Sequence, residues 1–238
     1  MNILAIDTST SLASVALAVD ERIVGESLLN TNRTLSARLV PEIERLLAAS
    51  GMTIAEIDLF AAAIGPGSFT GVRGGVATIQ GLALAVGKPC AGFSSLAMLA
   101  MNFSLQSTLV CPMLDARKSE LYSSLYDCSS PLPVPRISDC VLPPALLLDH
   151  IAEYSGDPVI FVGDGAVRYR DQIAEQLGEQ AVFAPFPLHV PHAANGTLLA
   201  LDSSRRDELL DPYQLLPVYL RASDAELMKM AKRVSDKE

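Results

Sequence analysis

Few side chains in this 238-residue sequence are of types that do chemistry, and they stand far apart. Asp7 closes a short apolar run, Asn2–Asp7, and is followed by four hydroxyls, Thr8-Ser9-Thr10-Ser11. A carboxylate at a strand end can orient a magnesium-bound water for a nucleotide. It can equally cap the adjacent turn through its own oxygens, so Asp7, Thr8 and Ser9 stand as nucleotide-contact candidates with a structural alternative. Gly163-Asp164-Gly165 follows another apolar run, and glycines at 163 and 165 would let backbone approach a nucleotide. The carboxylate between them repels phosphate and favours a plain turn. Asp115-Ala116-Arg117 reads as a turn with a local ion pair or as the polar rim of a cleft. His189-Val-Pro-His192 has an H-x-x-H spacing, but the proline opposes helical ligand geometry and no cysteine or third histidine is near. No metal site is expected, and no Ser–His–Asp or Cys–His set is suggested by spacing.

The elements that must position these groups are organised around residues 59–92. The stretch reads as a short apolar strand, a break at Gly65-Pro66-Gly67, a helix over 70–86, a stop at Gly87 and a second strand. The helix carries Gly71, Gly74, Gly75 and Gly81, which together cost roughly 2–4 kcal/mol against alanine. Positions 71, 74, 78, 81 and 85 form a small-residue face, and 72, 76, 79, 83 and 86 an apolar face beside it. Three readings are open. The helix packs on its own sheet, or Gly65-Pro-Gly-Ser68 cradles a phosphate at the helix start, or the small face receives a partner helix. The phosphate reading lacks the lysine and spacing of a P-loop.

Composition narrows the function classes. The formal charge is −9, with 18 Lys and Arg against 27 Asp and Glu. That disfavours autonomous nucleic-acid binding, though not a local basic patch. No apolar run approaches 18 residues and no charged region precedes an apolar one, so neither a membrane span nor a secretory leader is expected. Four cysteines without a CxxC read as buried thiols in a reducing, cytoplasmic setting.

Residues 2–7, 13–19 and 22–29 read as three antiparallel strands. An amphipathic helix over 34–50 follows, with Leu35, Leu39, Ile43 and Leu46 on one face and Pro41 expected to kink or restart it. After the glycine helix come a short helix to about 101, a strand over 109–114, a polar turn at 115–118 and a strand over 120–126. Residues 129–135 read as loop, 144–154 as helix, 159–162 as strand, then helix to 177, helix to about 204 and a closing segment at 213–221. The order repeats loosely as two βββαβα halves. The division is 1–103 as an N-terminal lobe, 104–221 as a C-terminal lobe and 222–238 as a basic amphipathic tail, either a frayed end or a docking helix. Three antiparallel strands with an acid and hydroxyls at the first turn resemble the start of actin, hexokinase and Hsp70-type nucleotide-binding domains, but this loop has no glycine to admit phosphates.

Gly65-Pro-Gly-Ser-Phe-Thr-Gly-Val-Arg73 and the glycine helix after it resemble the hallmark of the TsaB (YeaZ) family. Ile6-Asp-Thr-Ser9, Asp115-Ala-Arg117 with Glu120-Leu-Tyr122, Gly163-Asp-Gly165 and Pro217-Val-Tyr-Leu-Arg221 match it at the expected places. The resemblance implies a two-lobed α/β fold of the actin-like, acetate and sugar kinase/Hsp70 type (ribonuclease H-like). It further implies a non-catalytic subunit in tRNA N6-threonylcarbamoyladenosine synthesis, which modifies the adenosine beside the anticodon of tRNAs reading A-starting codons. TsaB pairs with the catalytic paralogue TsaD and the ATPase TsaE joins them; apart from the resemblance, the same helix faces could pair symmetrically in a homodimer when the chain is alone, with a monomer as the alternative. ATP serves the wider pathway, no cofactor is held by this chain, and tRNA is reached only through the complex. Pairing through N-lobe helices assigns Leu35, Leu39 and Ile43 of the first helix and Gly71, Gly74, Gly75 and Thr78 of the second to the interface. Leucine at either 74 or 75 is then expected to block pairing and spare the fold. TsaD-type subunits bind metal through H-x-x-x-H on the helix corresponding to 34–50, which has no histidine here; Leu35 stands where TsaB relatives often keep one. The rival readings are a stand-alone ATP-dependent phosphotransferase or a glycoprotease-like hydrolase of the same superfamily.

Overall fold

The computed structural model describes residues 1–30, 36–154 and 156–221; Leu35 and the basic tail 222–238 lie outside them. A meander of β1 (Asn2–Asp7), β2 (Leu12–Val19) and β3 (Arg22–Asn30) opens the chain. Helix α1 (Ser36–Ala49) leads to β4 (Leu59–Gly65), α2 (Phe69–Val86) and β5 (Cys90–Ser94). The sheet order is β3-β2-β1-β4-β5, with β1, β4 and β5 parallel. After α3 (Ser95–Ala100), β6 (Leu109–Arg117), β7 (Glu120–Asp127) and β8 (Val134–Leu142) form a second meander. It is followed by α4 (Pro144–Tyr154), β9 (Val159–Val162), α5 (Asp164–Arg168), α6 (Arg170–Leu177) and β10 (Ala181–Phe183). The second sheet, β10-β9-β6-β7-β8, repeats the first in order and direction.

The strands at the centre of the first sheet are apolar throughout because both faces are covered. Alternate residues point opposite ways: Leu4, Ile6, Phe60 and Ala62 pack with α1 and α2. Ile3, Ala5, Leu59 and Ala61 pack instead with Ala200 and Leu201 of α7 (Ala193–Arg205). Residues 193–218, read from the sequence as part of the second lobe, therefore belong by packing to the first sheet. Leu210 pairs with Cys90, and Leu215 is fully buried in the α1–α2 cluster. Leu96, Leu99 and Phe103 meet Val110, Leu114 and Val162 in an apolar cluster that joins the two sheets.

Several local expectations change. Strand β6 runs through Asp115 and Ala116 to Arg117, so the turn read at 115–118 begins later, at the left-handed residues Arg117–Ser119. β8 and β10 are strands that alternation did not reveal. β8 has no fully buried residue and β10 only three residues, so neither shows a face pattern; both are edge strands, where Pro135 is tolerated. Helix α1 passes through Pro41 without a restart. Helix α2 is, by length and composition, apolar enough to cross a membrane. Yet it lies on its own sheet with Val72, Gly75, Val76, Ile79 and Ala83 buried. Gly87 ends it at φ +66°, the left-handed stop a glycine accepts without strain.

Candidate interlobe functional site

A cleft of about 550 Å³ separates the two meanders. One wall is the β1–β2 turn (Ser9, Thr10, Ser11) with Gly67–Thr70 and Arg73 at the start of α2; the other is Asp115, Arg117, Tyr122 and Asp164, with Arg221 at the edge.

The first wall is held shut by hydrogen bonds within the chain. Thr8 Oγ1 donates to the Gly71 carbonyl at 2.8 Å, and the Ser68 N–H donates to the Ser9 carbonyl at 2.7 Å. Asp7 is fully buried; its Oδ1 accepts the Ser9 N–H at 3.1 Å and its Oδ2 has no partner among the described residues. Burial pushes this carboxyl up to about 6, partly offset by the bonds from Ser9. Asp7 thus caps its own turn from beneath, away from the cleft lining. Thr8 is spent on α2, and the Ser9 hydroxyl is buried without a partner. Of the three candidates, only Ser9 borders the cleft.

The glycines explain the close fit. A Cβ at Gly67 would lie 2.5 Å from the Ser9 carbonyl oxygen, one at Gly71 2.1 Å from the Thr8 carbonyl oxygen, and one at Gly75 2.2 Å from Thr8 Oγ1. Gly71 and Gly75 therefore admit the chain's own turn, which corrects their assignment to a partner-facing stripe. Gly74 and Gly81 meet nothing within 4 Å among the described residues. They share the outer face of α2 with exposed Ala77 and Leu84; Thr78 is half-buried there, its hydroxyl donating to the Gly74 carbonyl at 2.8 Å. Leu39 and Ile43, each 1% exposed, are core residues and offer no side-chain surface to a partner. The spacing of α1 identified its apolar face, and that face is turned inward.

Ser68 caps α2, accepting the Gly71 N–H at 3.3 Å. Ser68→Ala is expected to cost about 1 kcal/mol and to lower the melting temperature by about 2–4 °C. An unchanged thermal transition by circular dichroism would show that the staple from Ser9 holds this helix start alone.

On the second wall, Gly163 (φ +104°) donates its N–H to His189 Nδ1 at 3.0 Å, and a Cβ there would lie 2.2 Å from the Met113 carbonyl oxygen. A Cβ at Gly165 would lie 2.7 Å from Leu121. Both glycines serve the packing of α5 against β6 and neither borders the cleft, so they are withdrawn as nucleotide contacts; Asp164 does border it. Asp164 Oδ1 accepts the Asp115 N–H at 3.0 Å, and burial pushes its carboxyl up. Asp115 Oδ2 takes Arg168 at 2.5 Å and Arg117 at 3.4 Å. His192 leans the other way from His189, with Nδ1 3.0 Å from Glu26 Oε2. Among the described residues no group of three or more His, Cys, Asp or Glu is gathered as metal ligands would be.

One cluster escaped the sequence reading. The Arg73 guanidinium lies 3.9 Å from the Phe69 ring centroid and 5.3 Å from that of Tyr219. The two rings stack at 4.5 Å, and Arg73 Nε donates to Tyr219 Oη at 2.6 Å. Phe69 and Arg73 share a helix face at i,i+4 spacing, but Tyr219 arrives from 146 residues away.

Motif, fold and cleft can now be set beside known proteins. The family model described as TsaD, tRNA N6-adenosine threonylcarbamoyltransferase, matches residues 23–201. The tRNA threonylcarbamoyladenosine biosynthesis protein TsaB of Bacillus subtilis (strain 168) is 30% identical over 226 residues, 95% of this chain and 96% of the relative. The chain belongs to the TsaB (YeaZ) family. YeaZ from Pseudomonas aeruginosa has a TM-score of 0.78 and 31% identity, covering 92% of this chain and 99% of that one. The ROK hexokinase from Thermus thermophilus, 12% identical with a TM-score of 0.50 over 86% of this chain and 100% of its own, shares the fold alone. This TsaB chain is thus a two-lobed α/β protein of the actin-like and sugar-kinase type. Its first turn holds no glycine, and Thr8 and Ser9 of that turn pack against Gly67, Gly71 and Gly75.

Proposed function

We propose that this chain is a non-catalytic subunit of the tRNA N6-threonylcarbamoyladenosine synthesis complex. It pairs with a TsaD-type subunit, and with a TsaE-type ATPase in the full assembly, to support threonylcarbamoyl transfer to the adenosine beside the anticodon. The observation that carries the reading is the stapled turn. Gly67, Gly71 and Gly75 are taken up by the chain's own Thr8 and Ser9, so these glycines serve the fit of the first turn against α2 and are not held open for a phosphate. What stays open is the outer face of α2 around Gly74, Ala77, Gly81 and Leu84, whose small residues allow another helix to approach closely; the same face would serve a homodimer of the isolated chain.

Reconstitution of tRNA modification with and without this chain tests the reading. Product is expected to be lost on omission and restored by wild type, but not by Gly74→Leu, which should remain folded and fail to co-elute with the TsaD-type subunit. Stoichiometric binding of ATP and magnesium to the isolated chain, measured by calorimetry, would instead revive the phosphotransferase.

A further inference from the structure

We propose that the rim of the interlobe cleft is an RNA-contacting surface, on which Arg117 and Lys118 meet phosphates and the Phe69–Arg73–Tyr219 stack receives an unpaired base. The inference rests on the preceding reading only in taking RNA to be what the assembled complex handles.

Charge is the first observation. Over the whole chain acids outnumber bases, 27 to 18, yet three arginines and two aspartates line this cleft. One of those aspartates, Asp164, is pushed up by burial. Arg117 has a side chain 81% exposed and, among the described residues, a 3.4 Å ion-pair contact to an Asp115 oxygen that Arg168 engages more closely at 2.5 Å. Most of its fork of donors faces solvent, the state in which a guanidinium takes a phosphate. Arg117, Lys118 and Ser119 all adopt left-handed backbone (φ +62°, +52°, +60°), forming the tip of the β6–β7 hairpin with all three residues exposed.

The second observation is independent of charge. On the opposite wall, at the start of α2, Phe69 and Arg73 stack with Tyr219, which is 41% exposed and lies beside the cleft lining, the two rings tilted by 27°. Unpaired RNA bases are held by stacking on aromatic and arginine planes, with cations tracking the backbone beside them. An acidic protein surface would use the cations but has no need of the stack, which is why RNA is the partner chosen.

The test uses the full chain paired with a TsaD-type subunit and an unmodified tRNA transcript, with affinity followed by fluorescence anisotropy from 50 to about 300 mM salt. Arg117→Glu is expected to weaken binding about tenfold at low salt, and Arg117→Gln, which removes charge without repelling Asp115, to make the salt slope shallower by about one unit. Tyr219→Ala is expected to weaken binding with the slope unchanged. Unaltered affinity and slope in paired variants would overturn the inference, as would variants that stay folded yet no longer pair, since the rim would then be a protein interface. A wild-type chain that binds no TsaD-type subunit overturns the pairing reading itself, and is told apart by light scattering before RNA is added.

Discussion

Alanine at position 71 is expected to destabilise this protein by about 3 kcal/mol or more, although it adds one methyl group to a helix whose propensity it improves. The added Cβ would lie 2.1 Å from the Thr8 carbonyl oxygen, a backbone atom that cannot rotate away. Relief requires α2 to withdraw from the β1–β2 turn. That would stretch the Thr8 hydroxyl bond to Gly71 and the Ser68 bond to Ser9, each worth about 1 kcal/mol. Against a typical domain stability of about 5–15 kcal/mol, the loss is large. Gly75→Ala provides the graded comparison. Its neighbour at 2.2 Å is Thr8 Oγ1, a side-chain atom, which can turn away at the cost of its own hydrogen bond, so a penalty of about 1–2 kcal/mol is expected. Gly74→Ala meets open space and should gain up to about 1 kcal/mol from helix propensity. Urea unfolding of the three variants would settle the order. Equal stability of the alanines at 71 and 74 would mean that the turn and the helix do not hold each other as described.

Asp7→Asn should change the pH dependence of stability more than any other single substitution at this site. Burial raises the Asp7 carboxyl from an ordinary 3.8 to about 6. The folded state therefore holds this proton over a pH range in which the unfolded chain has released it. Stability contributed by the group is full below the unfolded value and is lost as pH rises through the folded one. The wild type accordingly carries a penalty near neutrality of about 3 kcal/mol, from roughly two units at 1.36 kcal/mol each. Asparagine keeps an oxygen to accept the Ser9 N–H and has no proton to lose. Its stability relative to wild type should climb by roughly 2–3 kcal/mol between pH 3.5 and pH 7, whatever the constant cost of its buried amide. A difference that stays flat across that range would mean that Asp7 is solvated in solution.

Much of the frame could be read before folding. β1, β2 and β4 are apolar runs because the sheet buries both faces, and the glycine helix announced its end because Gly87 can adopt left-handed backbone. The strands β8 and β10 could not be read, since no residue of β8 is fully buried to enforce an alternating pattern and β10 has only three residues. Nor could the return of α7 and residues 210–218 to the first sheet, because local periodicity says which face of a helix is apolar and nothing about which sheet will cover it.

The glycines of α2 divide the two kinds of knowledge most sharply. Their spacing by itself determined that something must come close to this helix, because four interior glycines are costly unless backbone approach repays them. The motifs likewise carried the resemblance to the family. Only the tertiary structure decided what comes close where: Thr8 and Ser9 of the chain's own first turn at Gly67, Gly71 and Gly75, and open surface at Gly74 and Gly81. It also brought Tyr219 onto Arg73. The physical reason is the same in each case. Sequence periodicity fixes directions around one element, whereas contact needs a second element, and its position follows from the packing of the whole core.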